Sequence, residues 1–234
     1  MLPSASPVST PGKVWQLACR AVEAVVRLSD VVAVAGRFPV LAGASLVVER
    51  SEIVLLRGPN GAGKTSLLRL CAGLLPIERG SAVVAGVDLV ADRWAVRPLV
   101  GLLGHANGLY DDLTVADNIG FWGATVGATS GEIAAAMDRL GLAGRLSAVP
   151  VSRLSAGQRR RTALACIVAR RAQVWLLDEP HAGLDAAGRD ELDAMLRDAA
   201  AAGATVIVAS HEHERAGSLA TRVVEVVGGQ VRAA

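Results

Sequence analysis

The densest run of chemically capable residues is Gly58-Pro59-Asn60-Gly61-Ala62-Gly63-Lys64-Thr65, followed by Ser66. It fits the pattern G-x-x-x-x-G-K-[ST]. Glycines at these spacings let backbone N–H groups wrap around phosphate oxygens, and a following helix adds the positive end of its dipole. In such a loop the lysine reaches the β and γ phosphates of a nucleotide, and the hydroxyl of Thr65 can bind Mg²⁺. The chain has only two lysines, Lys13 and Lys64; all other basic residues are arginine. One of the two falls where the pattern requires it.

A second group is Asp178-Glu179, at the end of the apolar run Val174-Trp175-Leu176-Leu177. Ligands of open parallel sheets bind at the carboxyl ends of the strands. There Asp178 can hold Mg²⁺ and Glu179 can orient or activate an attacking water. A third group is Leu154-Ser155-Ala156-Gly157-Gln158, with Ser155 placed as the N-cap of a helix. Its free N–H groups suit an anion. Alone, this pattern describes any capped helix. The run Arg159-Arg160-Arg161 that follows is expected to form a solvated helix face.

The elements that must hold these groups follow from periodicity. From Val25 to Val48 the pattern is β-like, and Ile53–Leu56 is a short buried strand leading through the glycine turn into a helix from Ser66 to Ala72. Ser81–Val90 reads as a strand or hairpin, and Leu113–Ser147 as mainly helical, with stop signals at Gly141 and Gly144. A helix runs from about Ala156 to Arg171, strands occupy Val174–Leu177 and Thr205–Ala209 with a helix from Gly188 to Ala202 between them, and a last hairpin turns at Gly228-Gly229. Strands alternating with helices predict an α/β fold with a mainly parallel sheet. The helical block, about residues 106–172, is expected to form an inserted lobe, and an antiparallel β portion precedes the phosphate loop.

In this order the motifs resemble those of the ATP-binding subunits of ATP-binding cassette (ABC) transporters, over roughly Val25 to Val231. Gly58–Thr65 matches the Walker A motif. Leu154–Gln158 is similar to the LSGGQ signature, with Ala156 in place of the first glycine. Asp178 and Glu179 match Walker B and the catalytic glutamate, and Ala182-Gly183-Leu184-Asp185 resembles the D-loop. His211 matches the switch histidine, with His213 as a rival two residues on. Leu103–Thr114, with the stretches Leu154–Arg161 and Leu176–Asp185, is further similar to the haem-exporter ATPases of bacterial cytochrome c biogenesis. The resemblance implies a P-loop NTPase core, ATP and Mg²⁺ as cofactors, and hydrolysis of ATP. It also implies an ATP-dependent homodimer in which Ser155 and Gly157 cap the γ-phosphate bound to the other subunit, with Gln158 and Asp185 among the nucleotide-binding residues. Separate transmembrane permease subunits would hold the protein at the inner face of the plasma membrane.

The sequence departs from the family pattern in two places. Where a loop glutamine contacts Mg²⁺ and the lytic water, alignment on Gly108-Leu109 puts His105. Where a tyrosine stacks on adenine, Phe38 is the aromatic candidate, and Ala35 can occupy the position instead.

Composition narrows the field. The chain has 234 residues, 52% hydrophobic and 20% charged, which excludes a disordered chain. Mean hydropathy is +0.40, yet no stretch of about 18 apolar residues lacks charge. A net charge of +2 and 3% aromatic residues give no footprint for nucleic acid, so none is expected as a partner. Cys19, Cys71 and Cys166 are few and far apart, arguing against disulfides or zinc. No signal peptide is expected, and residues 1–24 read as a mobile extension before a domain spanning 25–234. A P-loop GTPase would need an Asn-Lys-x-Asp motif, which neither lysine supplies. The alternatives are the ATPase of another ABC exporter, or a soluble ABC ATPase without a transporter; soluble ones generally pair two cassettes or insert a long coiled coil. A non-enzymatic nucleotide clamp would not need Glu179.

If neutral His105 helps hold the lytic water, turnover should fall on acidification through pH ~6.5, where an ordinary imidazole titrates. His105→Gln should then flatten the acidic limb while keeping much of the activity. Superimposable pH–rate profiles of the two proteins at saturating MgATP would make His105 a passive loop residue.

Overall fold

The strand Ile53–Arg57 is buried along four of its five residues, and that burial on both faces fixes the architecture around it. The computed structural model describes residues 24–104 and 106–233. The expected N-terminal extension, beyond Ala24, and the candidate His105 lie outside the described residues.

In chain order the elements are β1 (Ala24–Ala35), β2 (Phe38–Glu49), β3 (Ile53–Arg57), α1 (Lys64–Cys71), β4 (Arg79–Val84), β5 (Val87–Asp88), α2 (Leu89–Asp92) and β6 (Val100–Leu103). Then come α3 (Val115–Ala124), α4 (Ser130–Arg139), α5 (Ala156–Ala169), β7 (Val174–Asp178), α6 (Ala186–Ala201), β8 (Thr205–Ala209), α7 (His213–Leu219), β9 (Arg222–Val227) and β10 (Gln230–Ala233). Two sheets result. One has the order β10-β9-β3-β8-β7-β6, parallel throughout except for the β9–β10 hairpin. The other, β2-β1-β4-β5, is antiparallel. This is the expected α/β core with a mainly parallel sheet and an antiparallel portion.

Side chains of a strand alternate between faces, and the two apolar cores divide the parallel sheet on that rule. Val54, Leu56, Val174, Leu176, Ile207 and Ala209 join α1 and the antiparallel sheet in one core. Ile53, Leu55, Trp175, Leu177, Val206 and Val208 join α3, α4, α5 and α6 in the other. Strands covered on both faces read as unbroken apolar runs, which is how β3, β7 and β8 stand out in the sequence. The inserted helices share the second core: α3 and α4 pack on α5, which lies against β6. Gly101 of β6 makes that approach possible, since a Cβ there would lie 2.6 Å from a methyl of Ile167.

Helix starts follow capping chemistry. The side chains of Thr114, Thr129 and Ser155 each accept from a backbone N–H three residues on, and each cap's own backbone N–H donates in return to the side-chain oxygen of Asp117, Glu132 or Gln158. Gly141, at φ 62, ends α4 in the left-handed conformation. Beyond the expected elements, the structure adds β6, α2 and α7.

Cys71 and Cys166 are buried free thiols, and burial pushes both up to about 12. Only the thiolate is an effective nucleophile, so neither should react at neutral pH. In a Cys19→Ser protein, a thiol reagent should incorporate almost nothing until denaturant is added; rapid labelling of the native chain would contradict this packing.

Candidate functional site

The register of the parallel strands brings the motifs to one edge. Leu56 pairs with Ala209, and Asp178 pairs with the same Ala209. The phosphate loop after β3, the carboxylates ending β7 and Ser210-His211 after β8 therefore emerge side by side. They line a cavity of about 610 Å³ containing Asn60–Ser66, Asp178, Glu179 and His211. Pro39 and Val40 of β2 and the turn Gly228-Gly229 complete its wall. Phe38 stands just ahead of that wall, 77% exposed and not part of it, paired in register with Ala35.

The loop is tightly braced. Gly58 has φ 151, and a Cβ on it would lie 2.1 Å from the carbonyl oxygen of Val226. Gly63 caps α1 at φ 108, with Val40 O 2.8 Å from the place of a Cβ. The β9–β10 turn ties in from the other side: Gly229 N donates to Ala62 O at 2.9 Å, and Gly229 O accepts from Ala42 N at 2.9 Å. Lys64 is buried, and its ammonium donates to Gly58 O at 2.7 Å and Pro59 O at 2.9 Å. The hydroxyl of Thr65 donates to Asp178 Oδ2 at 2.7 Å.

Glu179 has φ 49, a left-handed conformation that costs a residue with a Cβ on the order of 1–2 kcal/mol. Its carboxylate accepts from His211 N at 3.2 Å and Ser210 Oγ at 3.4 Å, and His211 Nε2 lies 3.5 Å from its other oxygen. His213, the rival reading, opens α7 instead. His181, next to Pro180, is 1% exposed and bonds Asp193 Oδ1 at 2.8 Å; Asp193 pairs with Arg215 at 2.6 Å. This network anchors the segment after Glu179 to α6 and α7.

Ser155, Gly157, Gln158 and Asp185 are not in this cavity. They line a separate one of about 470 Å³, between the start of α5 and the loop before α6. Ser155 Oγ accepts from Gln158 N at 3.2 Å, Gln158 Oε1 accepts from Ser155 N at 2.9 Å, and Asp185 caps α6 through Gly188 N at 2.9 Å. Among the described residues, the candidates other than Phe38, Gly58 and Pro59 line one of these two cavities, and Gly58 and Pro59 begin the phosphate loop that lines the first.

The expectation of a solvated face at Arg159–Arg161 is overturned. Arg159 and Arg161 are half-buried, and Arg160 is only 5% exposed. Arg159 donates to Leu154 O and Ser152 O, and Arg160 to the carbonyls of Gly104, Asp178, Glu179 and Pro180. Burial pulls the Arg160 guanidinium below its ordinary value, with the charges of Asp178 and Glu179 opposing that. The misleading signal was the charge run. The informative one was spacing: Arg160, Leu164 and Ile167 share one helix face, and both apolar partners are buried. The wall residues Pro39, Val40, Gly228 and Gly229 carried no such signal beyond the turn at the glycine pair.

Oxygen donors dominate where a cation would sit: the Thr65 hydroxyl and the Asp178 carboxylate already meet there. Mg²⁺ prefers such hard oxygens and keeps several waters. Among the described residues, no group of three or more His, Cys, Asp or Glu side chains gathers into an all-protein metal cage.

The model for the ABC transporter family matches residues 41–182. A cytochrome c biogenesis ATP-binding export protein from Chelativorans sp. strain BNC1 is 39% identical over 173 residues, covering 74% of this chain and 84% of that protein. The protein of the same name from Bordetella bronchiseptica is 42% identical over 177 residues, covering 75% and 79%. Among solved structures, an ATP-binding subunit of an ABC transporter superposes with TM-score 0.82 at 23% identity, over 89% of this chain and 88% of that one. A dimeric ATP-binding cassette in a post-hydrolysis state with ADP and phosphate does so with TM-score 0.76 at 22% identity, over 88% and 96%. At these identities the structural likeness speaks for the fold alone.

Gly58→Ala should unfold the chain at a lower temperature than Gly61→Ala. The second carries only the cost of a positive φ, about 1–2 kcal/mol, since nothing lies within 4 Å of its Cβ position. Equal melting midpoints would show that the Val226 strand is free to move away.

Proposed function

The chain belongs to the ABC transporter family, and from that premise we propose that it hydrolyses MgATP to drive a separate membrane permease, of the haem-exporter type of cytochrome c biogenesis. The observation that carries the mechanism is the division of functional residues between two surface cavities. One holds the phosphate loop, Asp178, Glu179 and His211; the other holds Ser155, Gly157, Gln158 and Asp185. Each is half of a site, and two copies facing each other would complete both.

In this reading the N–H groups of Asn60–Ser66 take the phosphates, and Lys64 exchanges its carbonyl partners for phosphate oxygens. Thr65 and Asp178 would hold Mg²⁺, which supplies charge neutralisation at the phosphates when bound. Glu179 takes a proton from the attacking water, which displaces ADP from the γ-phosphorus. The left-handed backbone at Glu179 turns its carboxylate away from the strand, and His211 N and Ser210 Oγ hold it there. His211 is placed to meet the γ-phosphate beside it. From the partner subunit, the cap at Ser155 and the N–H of Gly157 close over that phosphate, with Gln158 and Asp185 flanking it.

The names of the relatives support export linked to cytochrome c biogenesis as the work done. Among the described residues, no helix is long and apolar enough to cross a membrane, so the membrane-spanning part would belong to other chains. An apolar groove of about 370 Å³, with Leu102, Leu109, Trp122 and Ile167 in its wall, offers those chains a seat. Exposed Tyr110 and Phe121, stacked edge to face at 5.3 Å, extend the surface near it.

Glu179→Gln should lower ATP turnover by about 10²–10⁴-fold, the range for loss of a general base, while MgATP traps a dimer. Adding Ser155→Arg should abolish that dimer yet preserve ATP binding by the monomer, apart from a cap loss of about 1 kcal/mol. Size measurement with and without MgATP checks both. A Glu179→Gln protein that stays monomeric would defeat the two-copy mechanism.

A further inference from the structure

Arg160 lies one turn beyond the capped start of α5, yet its side chain reaches the chain's own catalytic strand end. A guanidinium has five N–H donors in one rigid plane, and Arg160 uses all five. Nε donates to Pro180 O at 3.3 Å. One terminal nitrogen donates to Gly104 O at 2.9 Å and Asn107 Oδ1 at 3.1 Å. The other donates to Asp178 O at 2.8 Å and to the Glu179 carbonyl. A single side chain therefore joins the end of β6, the loop after it and the end of β7.

The geometry at β7 is specific. In an extended strand successive carbonyls point to opposite edges. Those of Asp178, Glu179 and Pro180 converge on one group because the chain turns at Glu179, where φ is 49. The same turn aims the carboxylate of Glu179 at Ser210 and His211. A displacement of Arg160 would thus alter where that carboxylate points. Arg160 is held in turn by α5, whose first residues form the cavity around Ser155 and Gly157.

Resting on the reading that Ser155 meets the partner's ATP and Glu179 activates water, we propose that Arg160 is a positioning residue that couples the two nucleotide sites within one chain. When α5 seats on the partner's nucleotide, the guanidinium carries that movement to residues 178–180 and sets Glu179 for chemistry in the chain's own site. Hydrolysis at one site then depends on closure at the other. A lysine keeps the charge but offers three donors from a single point on a flexible stem, so it cannot span the three segments.

The test uses the full chain with MgATP. Arg160→Lys should lower kcat by about tenfold or more and leave KM within about twofold, a split that marks loss of an interaction acting after binding. In a Glu179→Gln background it should still dimerise with MgATP, giving closure without chemistry. A kcat within twofold of the parent would overturn the coupling, and so would a kcat loss that comes with loss of the dimer at an unchanged melting midpoint. Asn107→Ala removes one acceptor and leaves the backbone intact, so it serves if Arg160→Lys folds poorly. It should lower kcat by a smaller factor at unchanged KM, and no effect on kcat would count against the proposal. A parent that neither hydrolyses ATP nor dimerises as Glu179→Gln overturns the underlying reading and the coupling with it. An active parent with an unaffected Arg160→Lys overturns the coupling alone.

Discussion

Parallel pairing of β3, β7 and β8 in one register is the constraint on which the molecule depends. Asp178, Ala209 and Leu56 lie abreast, so three chain segments leave the sheet at one level. A slip of one residue would exchange the faces of every strand side chain, sending Leu56 and Leu176 into the wrong core. The apolar division of the sheet therefore enforces the geometry of the candidate site. Packing energy spread over two cores holds Thr65 within 2.7 Å of Asp178, although that single bond is exposed and weak by itself.

The phosphate loop imposes a second demand. Most of its N–H groups must stay free for a ligand, so the loop braces itself with little more than Ala62 N donating to Pro59 O at 3.2 Å. The surrounding chain supplies the rigidity instead: Val226 packs against Gly58, Gly229 bonds Ala62, and Lys64 bonds back to the loop carbonyls. The antiparallel sheet contributes Val40 at the same point. This explains why the glycines at 58 and 63 are needed for contact as well as for conformation.

How far the sequence revealed this can be judged from particular residues. β3, β7 and β8 were legible as apolar runs because both faces are covered, and the motifs at their ends came with them. β6 was not, because Gly101 interrupts its apolar run where Ile167 packs against it. α7 escaped because seven residues rich in charge give a weak periodic signal. The caps at Ser155 and Asp185 lie where their residue types imply. Arg160 was hidden by its neighbours: local charge suggested solvent, whereas the tertiary position of α5 decided burial. A buried guanidinium is tolerable only when its donors are all paired, and those partners come from segments far away in sequence.

The near-absence of lysine has a consequence of its own. Within the described residues Lys64 is the one primary amine on a side chain, and it is 7% exposed with carbonyls at 2.7 and 2.9 Å. Arginine carries the remaining positive charge and resists acylation and Schiff-base formation at neutral pH because it does not deprotonate. Acyl donors and simple aldehydes, which attack amines, thus find little side-chain target among the described residues. Amine-directed modification of its side chains is confined, outside Lys13, to the residue that ATP itself would cover.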